Sequence, residues 1–440
     1  MPVSSQDLRP AEVPEALNRA IQIHSSGNLA GAKEIYRQVL QADPHNEDAL
    51  HLVGLTSLQE GNLDEAEEFI LKALDENPDF PAAYNNLGTV YSKMGRLDDA
   101  AANYRKAIER QENFPSAHYN LGNVLRDKGQ PAEVEASYRK AIVCKPDYVD
   151  AYNNLGVYLT NLGRLDEAVE CFCQIVHLNP DYVDAYYNLG NAFRDLGQFD
   201  KAAENYRQVL ELDPEHLKAH HVLAALTDNL TEMPPDGYVS LVFDNFASEF
   251  EQQMTIGNCR IPETLREIVG KVLEERRHVS GPAFPRVLDM GCGTGLAGQV
   301  FREIAEELHG VDLSEKMLER AREKNVYDEI FQAPIEKFLD QPQEPYDLVI
   351  AADVLIYIGP LEALFEKVAK RLGKKGLFAF SVEGLDVGTY VLQPSTRYAH
   401  SENYVHRVAR DYGFNLIGGR PVQKMRNDVN GNLFLLEKSN

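Results

Sequence analysis

Cysteine is scarce in this chain, and basic charge is in deficit. The 440 residues include five cysteines, Cys144, Cys171, Cys173, Cys259 and Cys292. Their number is odd and none sit at a paired zinc-type spacing, which argues against a disulfide scaffold or a bound structural metal. Reduced thiols in a cytosolic compartment are the expectation. No run approaches the roughly 18 apolar residues of a membrane-spanning helix, and the opening MPVSSQDLRPAEVPEALNRA has no apolar secretion core. A cytoplasmic chain without a membrane partner is therefore expected. Lys plus Arg is 44 against 68 for Asp plus Glu, a formal net charge of −24, with 38 acidic and 20 basic residues in 1–240 and 30 against 24 in 241–440. Such a field repels phosphate backbones and anionic headgroups, and no local basic patch offsets it, so no nucleic-acid partner is expected. With 44% hydrophobic and 25% charged residues the composition is that of a soluble globular protein. The length allows about two to four domains.

What is present first is a period. Pro44, Pro78, Pro146, Pro180 and Pro214 fall in one 34-residue register, with Glu112 in the vacant place. Gly54, Gly88, Gly122, Gly156 and Gly190 repeat in the same register, as do Gly27, Gly61, Gly95, Gly129, Gly163 and Gly197. Ala32, Ala66, Ala100, Ala168 and Ala202 follow it too, with Val134 as the exception. Small residues allow two helices to approach, the second glycine ends a helix and the proline stops the next. AYNNLGVYLTNLGRLDEAVECFCQIVHLNP, 151–180, resembles a tetratricopeptide repeat, the 34-residue helix-turn-helix unit. Six repeats are placed across 13–216, the first degenerate at Arg19 and Ala20, followed by a capping helix at 219–229. The repeat region 13–229 is thus expected to be an α-solenoid.

Asn86, Asn120, Asn154 and Asn188 each precede a Leu-Gly pair at the repeat spacing. An amide both donates and accepts, so such a row can grip the backbone of an extended peptide on a concave face; it can equally serve hydrogen bonds between repeats. The row is similar to that of O-GlcNAc transferase, which implies a protein or peptide partner.

The register breaks at TEMPPDGY, within a linker placed at 230–240. Two helical stretches follow in 241–278, one carrying Phe243, Phe246 and Phe250, read either as core or as a cover over a site. From 286 short apolar runs alternate with amphipathic segments, the pattern of a parallel sheet covered by helices. VLDMGCGTG, Val287–Gly295, carries an acid, Asp289, and then Gly291, Gly293 and Gly295; Leu296 stands where a dinucleotide fingerprint would have its last glycine. This motif resembles motif I of class I S-adenosylmethionine-dependent methyltransferases. GVDLS places Asp312 and Leu313 some twenty residues on, where a carboxylate can accept ribose hydroxyls. Ala333, in QAPI, falls where the family frames adenine, without the acidic residue often found there. AADVLIYIG resembles motif IV and carries Asp353. FNLIGG and GNLFLLEK resemble the family's closing antiparallel hairpin, with Asn430-Gly431 near the turn.

The resemblance implies a Rossmann-like domain over 241–440 with a seven-stranded, mostly parallel sheet in 286–440, the whole chain being of the α plus α/β class. It implies S-adenosylmethionine as cofactor, with Asp289 near its methionine amine, Gly291 and Gly293 along the carboxypropyl and ribose parts, and Asp312 on the ribose. Cys292 is read as a small filler between the glycines. For acid-base work the candidates are Asp353, Tyr357 and His400, with Arg397 and Tyr398 on a substrate-rim loop before a helix started by Ser401 and Glu402. Asp353 can instead touch only the cofactor, Tyr357 can be core, and His400 can cap or pack. Repeats followed by this domain resemble bacterial-type predicted methyltransferases with tetratricopeptide repeats. The implied function is methyl transfer to an acceptor recruited by the repeats. A scaffold with a cofactor-sensing domain, or a small-molecule enzyme whose repeats only localise it, are the alternatives.

Overall fold

The computed structural model describes residues 8–227, 234, 237–248, 250–256, 260–275, 282–422 and 430–439. Cys259 and most of the 230–240 linker lie outside them. The chain forms two compact units, 1–196 and 197–440. This division falls inside the sixth sequence repeat.

The first unit is α-helical. Its helices are α1 (Val13–Ser25), α2 (Leu29–Ala42), α3 (Glu47–Gln59), α4 (Leu63–Glu76), α5 (Pro81–Lys93), α6 (Leu97–Arg110), α7 (Pro115–Asp127), α8 (Pro131–Cys144), α9 (Val149–Asn161), α10 (Leu165–Leu178) and α11 (Val183–Asp195), each packed against the next. The two glycine series have different causes. A Cβ on Gly88, Gly122 or Gly156 would stand 2.7 Å from the ring of Tyr104, Tyr138 or Phe172, so the aromatic of the second helix occupies the space the glycine leaves. Gly61, Gly95, Gly129 and Gly163 meet nothing within 4 Å but have φ between +65° and +82°. Here the left-handed turn, not space, demands glycine. Where the periodic proline is missing, α6 still ends at Arg110, closed by the Gln111 amide on the Ala107 carbonyl at 2.9 Å.

The second unit begins with α12 (Phe199–Leu212) and α13 (Leu217–Leu226), then α14 (Tyr238–Phe246), α15 (Phe250–Ile256) and α16 (Ile261–Glu275). Strands and helices alternate thereafter: β1 (Phe284–Met290), α17 (Leu296–Phe301), β2 (Ala305–Asp312), α18 (Glu315–Lys324), β3 (Glu329–Gln332), α19 (Ile335–Asp340), β4 (Tyr346–Ala351), α20 (Glu362–Arg371), β5 (Leu372–Leu385), β6 (Tyr390–Leu392), β7 (Tyr398–Ser401), α21 (Glu402–Asp411), β8 (Phe414–Val422) and β9 (Gly431–Lys438). The sheet order is β3-β2-β1-β4-β5-β7-β6, with β9 paired to β5 and β8. β1 to β5 are parallel neighbours, and β8 and β9 form the expected antiparallel hairpin.

Among the described residues the sheet has nine strands where seven are expected from sequence. The additions are β6 and β7, the latter in the segment read from sequence as a substrate-rim loop. Glu383 of β5 pairs with Gly431 of β9 on one edge and with Ala399 of β7 on the other. β7 thus takes over the edge of β5 where β4 has ended, beyond the carboxyl end of β4. All four β7 residues are buried, which their polar sequence YAHS conceals.

Side chains alternate between two cores. Val287, Leu348, Ile350, Leu377 and Leu435 face one, which includes Leu265, Ile268 and Val269 of α16. Leu288, Val349, Phe378 and Leu436 face the other, with Phe365 and Val405 of α20 and α21. Helix α16 therefore belongs to a sheet face, and among the described residues of the expected 241–278 cover 241–248 and 250–256 are left to act as one. Helix α13, expected to cap the solenoid, packs through His221 on Tyr238 at 4.3 Å and bonds the Thr396 carbonyl at 3.0 Å.

Because the Tyr138 ring fills the place of a Gly122 side chain, Gly122→Val is expected to destabilise the repeats by about 1–3 kcal/mol through overpacking. A denaturant melt of the full chain, followed by helical signal, measures it.

Candidate functional site

Parallel strands end together, and the loops after β1, β2 and β4 open on one side of the sheet, where ligands bind in such folds. A cavity of about 590 Å³ lies there. Gly291 and Gly293 line it from the turn after β1, Asp312 and Leu313 from the end of β2, and 334–337 from the start of α19. Ala352, Asp353, Val354, Tyr357 and Ile358 line it from the segment after β4, and Val239, Phe243 and Phe250 from α14 and α15. Of the expected site residues, Gly291, Gly293, Asp312, Leu313, Asp353 and Tyr357 meet at this cavity. Asp289, Cys292, Gly295 and Ala333 stand beside those that do. The volume suits a small organic ligand, and the lining combines apolar walls with few polar groups.

The turn is held from below and from the side. The Gly291 and Cys292 amides donate to the Val311 carbonyl at 2.7 and 3.1 Å, and Gly295 closes on Cys292 at 2.8 Å. Gly291, Gly293 and Gly295 have φ of +67°, +53° and +87°. A Cβ on Gly293 would meet nothing, so its backbone lies open toward a ligand, whereas a Cβ on Gly291 would come 2.5 Å from Val354. Asp312 joins the turn to β2: one carboxylate oxygen accepts the Gly293 amide and the other the Ser314 amide, both at 2.9 Å. Ser314 caps α18 and donates to Asp244 of α14 at 2.5 Å. Burial pushes the Asp312 carboxyl up despite those amides.

Asp289 is buried. Its Oδ2 accepts the Tyr327 hydroxyl at 2.7 Å, and its Oδ1 has no partner among the described residues. Burial pushes its pKa up to about 7; the Tyr327 hydrogen bond opposes this and the Asp312 charge adds to it. Cys292 is buried against Gly310, and burial raises its thiol well above the ordinary range, which keeps it neutral. Ala333 bonds the Asp312 carbonyl at 3.1 Å through its amide.

At the other end Asp353 has φ +64°, a left-handed backbone for a non-glycine residue, and its amide donates to Ser381 Oγ of β5 at 2.8 Å. Tyr357 packs its ring edge-on to Phe243 at 5.3 Å. Arg397 pairs with buried Glu383 at 3.1 Å. Burial opposes its charge, yet Tyr357, Glu383 and Asp353 together raise its pKa. His400 is not on a rim. It is buried in β7, its Nε2 bonds the Gly359 carbonyl at 2.8 Å, and its ring stacks on Tyr404. Burial lowers its pKa to about 4, so it is neutral at pH 7.

Sequence reasoning missed Tyr327, Ser381 and Glu383. Only the cluster of Gly295, Gly298 and Gly310 hints at Tyr327, since all three make room for its ring.

The asparagine row lies in half-buried positions of α5, α7, α9 and α11. Asn86 Nδ2 meets His51 Nε2 at 2.8 Å, Asn120 donates to Asn85 at 3.1 Å, Asn154 to Asn123 at 2.8 Å and Tyr119 at 3.1 Å, and Asn188 to Asn153 at 3.3 Å. Every one of these bonds reaches the preceding repeat, so the donors join repeats. Asn154→Ala should accordingly cost about 1 kcal/mol of stability per lost hydrogen bond in a denaturant melt.

Asp289 carries a second stability consequence. The folded protein holds its proton between pH 4 and about 7, where the unfolded chain has lost it, so stability falls as pH rises through that window. Asp289→Asn should raise the thermal midpoint at pH 8, where a buried charge is removed, and leave it unchanged at pH 5, where the carboxyl is already neutral. Calorimetry at the two pH values checks this.

Comparison with known proteins agrees with these two architectures. A methyltransferase domain model matches residues 287–376, and tetratricopeptide repeat models match segments between 24 and 216. Arginine-hydroxylase NDUFAF5, mitochondrial, of Rattus norvegicus is 27% identical over 39% of this chain and 52% of its own length. Ubiquinone biosynthesis O-methyltransferase of Idiomarina loihiensis is 30% identical over 26% of this chain and 49% of its own. The chain spans about half the length of the curated relatives it matches. Among solved structures YrrB, a TPR protein with an unusual peptide-binding site, is 24% identical over 42% of this chain and 96% of that one, with a TM-score of 0.38. The chain carries tetratricopeptide repeats followed by a methyltransferase domain.

Proposed function

We propose that the protein is an S-adenosylmethionine-dependent methyltransferase whose repeat region, 13–229, recruits a protein substrate or partner to the domain 241–440. The observation that carries the cofactor assignment is Asp312. Its carboxylate lines the cavity, each oxygen accepts one backbone amide, and each retains acceptor capacity for a sugar hydroxyl. The open backbone at Gly293 and the two carboxylates beside the turn, Asp312 at the cavity and Asp289 behind it, fit a ligand that brings hydrogen-bond donors and positive charge.

In this reading Gly291, Cys292, Gly293 and Gly295 shape the turn against the ligand, Asp312 and Leu313 hold the ribose side, and Ala333 with the start of α19 frames the base. The cofactor supplies an activated methyl on a sulfonium, with a neutral thioether as leaving group. The protein's part is to orient the acceptor and keep water out. Phe243 and Phe250 wall the cavity beside Tyr357. Asp353, held in place through Ser381, is the base that takes a proton from an acceptor hydroxyl or amine, and Tyr357 positions that group. His400, neutral and bonded to Gly359, supports the segment after β4 instead of exchanging protons.

Relatives of this chain differ in named activity, one an arginine-hydroxylase and another an O-methyltransferase, so the reading that the domain only senses a cofactor stays distinct from methyl transfer. Binding and turnover are therefore tested separately. Isothermal titration of S-adenosylmethionine into the full chain should show binding, weakened at least about tenfold in Asp312→Ala through loss of charge-assisted hydrogen bonds. Labelled-methyl transfer into a cell extract should then mark a protein-bound product. Binding without transfer supports the sensor, label on a small molecule removes the protein acceptor, and no binding removes the whole reading.

A further inference from the structure

Tyr327 lies between α18 and β3, outside every motif in the sequence. Its ring fills a space made by three glycines on three segments. A Cβ on Gly295 or Gly310 would stand 3.2 Å from the ring, and one on Gly298 would overlap it. The glycine turn, α17 and β2 therefore close around one aromatic ring. The hydroxyl points inward and reaches Asp289 Oδ2 at 2.7 Å, while Oδ1 of the same carboxylate is buried without a partner among the described residues. Neither side chain lines the cavity, yet Asp289 directly precedes Met290 and the turn that does.

We infer that Tyr327 is a positioning residue for cofactor binding: it anchors one oxygen of Asp289 so that the carboxylate stays fixed under the glycine turn as the counter-charge for a cationic ligand. This rests on the cofactor reading above. The groups facing Asp289 are Tyr327 from the α18–β3 segment, Cys292 from the turn, Asp312 from β2 and the Gly298 amide of α17. Arg322 of α18 acts on Cys292. Cys292 is a neutral thiol, so two carboxylates dominate, and each opposes ionisation of the other. A cation entering the cavity relieves that repulsion and favours the ionised form of Asp289. Burial holds Asp289 near pH 7 and the Tyr327 hydrogen bond keeps it from rising further. Affinity for a cationic ligand should therefore grow as pH rises through the Asp289 titration, with proton release on binding.

The test is isothermal titration of S-adenosylmethionine into the full chain and into Tyr327→Phe and Asp289→Asn, from pH 6 to pH 9, in two buffers of different ionisation enthalpy. Comparing variants at each pH removes the ligand's own titration. Tyr327→Phe keeps the ring among the glycines and loses only the hydroxyl. It should bind about fivefold more weakly at pH 7 and return to within about twofold of the parent at pH 9, its inflection displaced upward. Asp289→Asn should lose the inflection, and the proton release tied to it, at every pH. A Tyr327→Phe profile superimposable on the parent's overturns the inference and leaves Tyr327 as packing, as does an inflection that survives in Asp289→Asn. Failure of the parent chain to bind at any pH overturns the cofactor reading instead. Should Tyr327→Phe prove unstable by thermal melt, an inflection that survives in Asp289→Asn still overturns the inference.

Discussion

The carboxylate of Asp312 holds the methyltransferase domain of the molecule in register. It lies where β2 ends, yet one of its oxygens accepts an amide from the turn that follows β1, and the other accepts the amide of Ser314, which caps α18. Three chain segments thus converge on one side chain. Through Ser314 the connection extends to Asp244, so α14, which brings Phe243 to the cavity, is tied to the same point. The arrangement is only sustainable because the amides offset the cost of enclosing a charge. A ligand that donates to the remaining lone pairs would meet a carboxylate already oriented by backbone that cannot rotate away.

The parts of this structure legible in the sequence are those where one residue type answers a local demand. Gly61, Gly95, Gly129 and Gly163 were readable because a left-handed turn selects glycine whatever surrounds it. The glycines after Asp289 were readable for another reason, since an absent Cβ lets backbone lie close against a ligand. Strand β7 was not, because Tyr398, His400 and Ser401 look like a polar loop until β5 supplies an edge beyond the end of β4. Nor was the split of 241–278, since the amphipathic pattern of α16 is equally that of a cover and of a helix on a sheet face. Tyr327 was hidden more deeply. Its partners Gly295, Gly298 and Gly310 are scattered in sequence, and only folding shows that their absent side chains add up to one aromatic volume.

The asparagine row shows how one pattern supports two chemistries. Regular spacing at 34 residues is what a peptide-gripping ladder requires, but it is equally what a bond between each repeat and the one before requires. Geometry separates them: the Nδ2 donors of Asn120, Asn154 and Asn188 reach acceptors in the preceding repeat. Solenoid stability is a sum of such neighbour terms, so a polar bond repeated at each junction also fixes the rotation between repeats.

The two ends of the cavity are also fitted to each other. Gly291 cannot bear a Cβ because Val354 occupies that space, and Val354 follows Asp353, whose left-handed backbone is a costly conformation for a residue with a side chain. The Ser381 hydroxyl on the Asp353 amide maintains it from β5. A relaxed Asp353 would swing Val354 and press on the turn; a side chain at Gly291 would push Val354 and release Asp353. The turn on one side of the cavity and Asp353 on the other are therefore one mechanical element. Glycine is demanded at 291 twice over, by its left-handed backbone and by Val354 beside it, while the Ser381 hydroxyl that restrains Asp353 braces the segment carrying Val354.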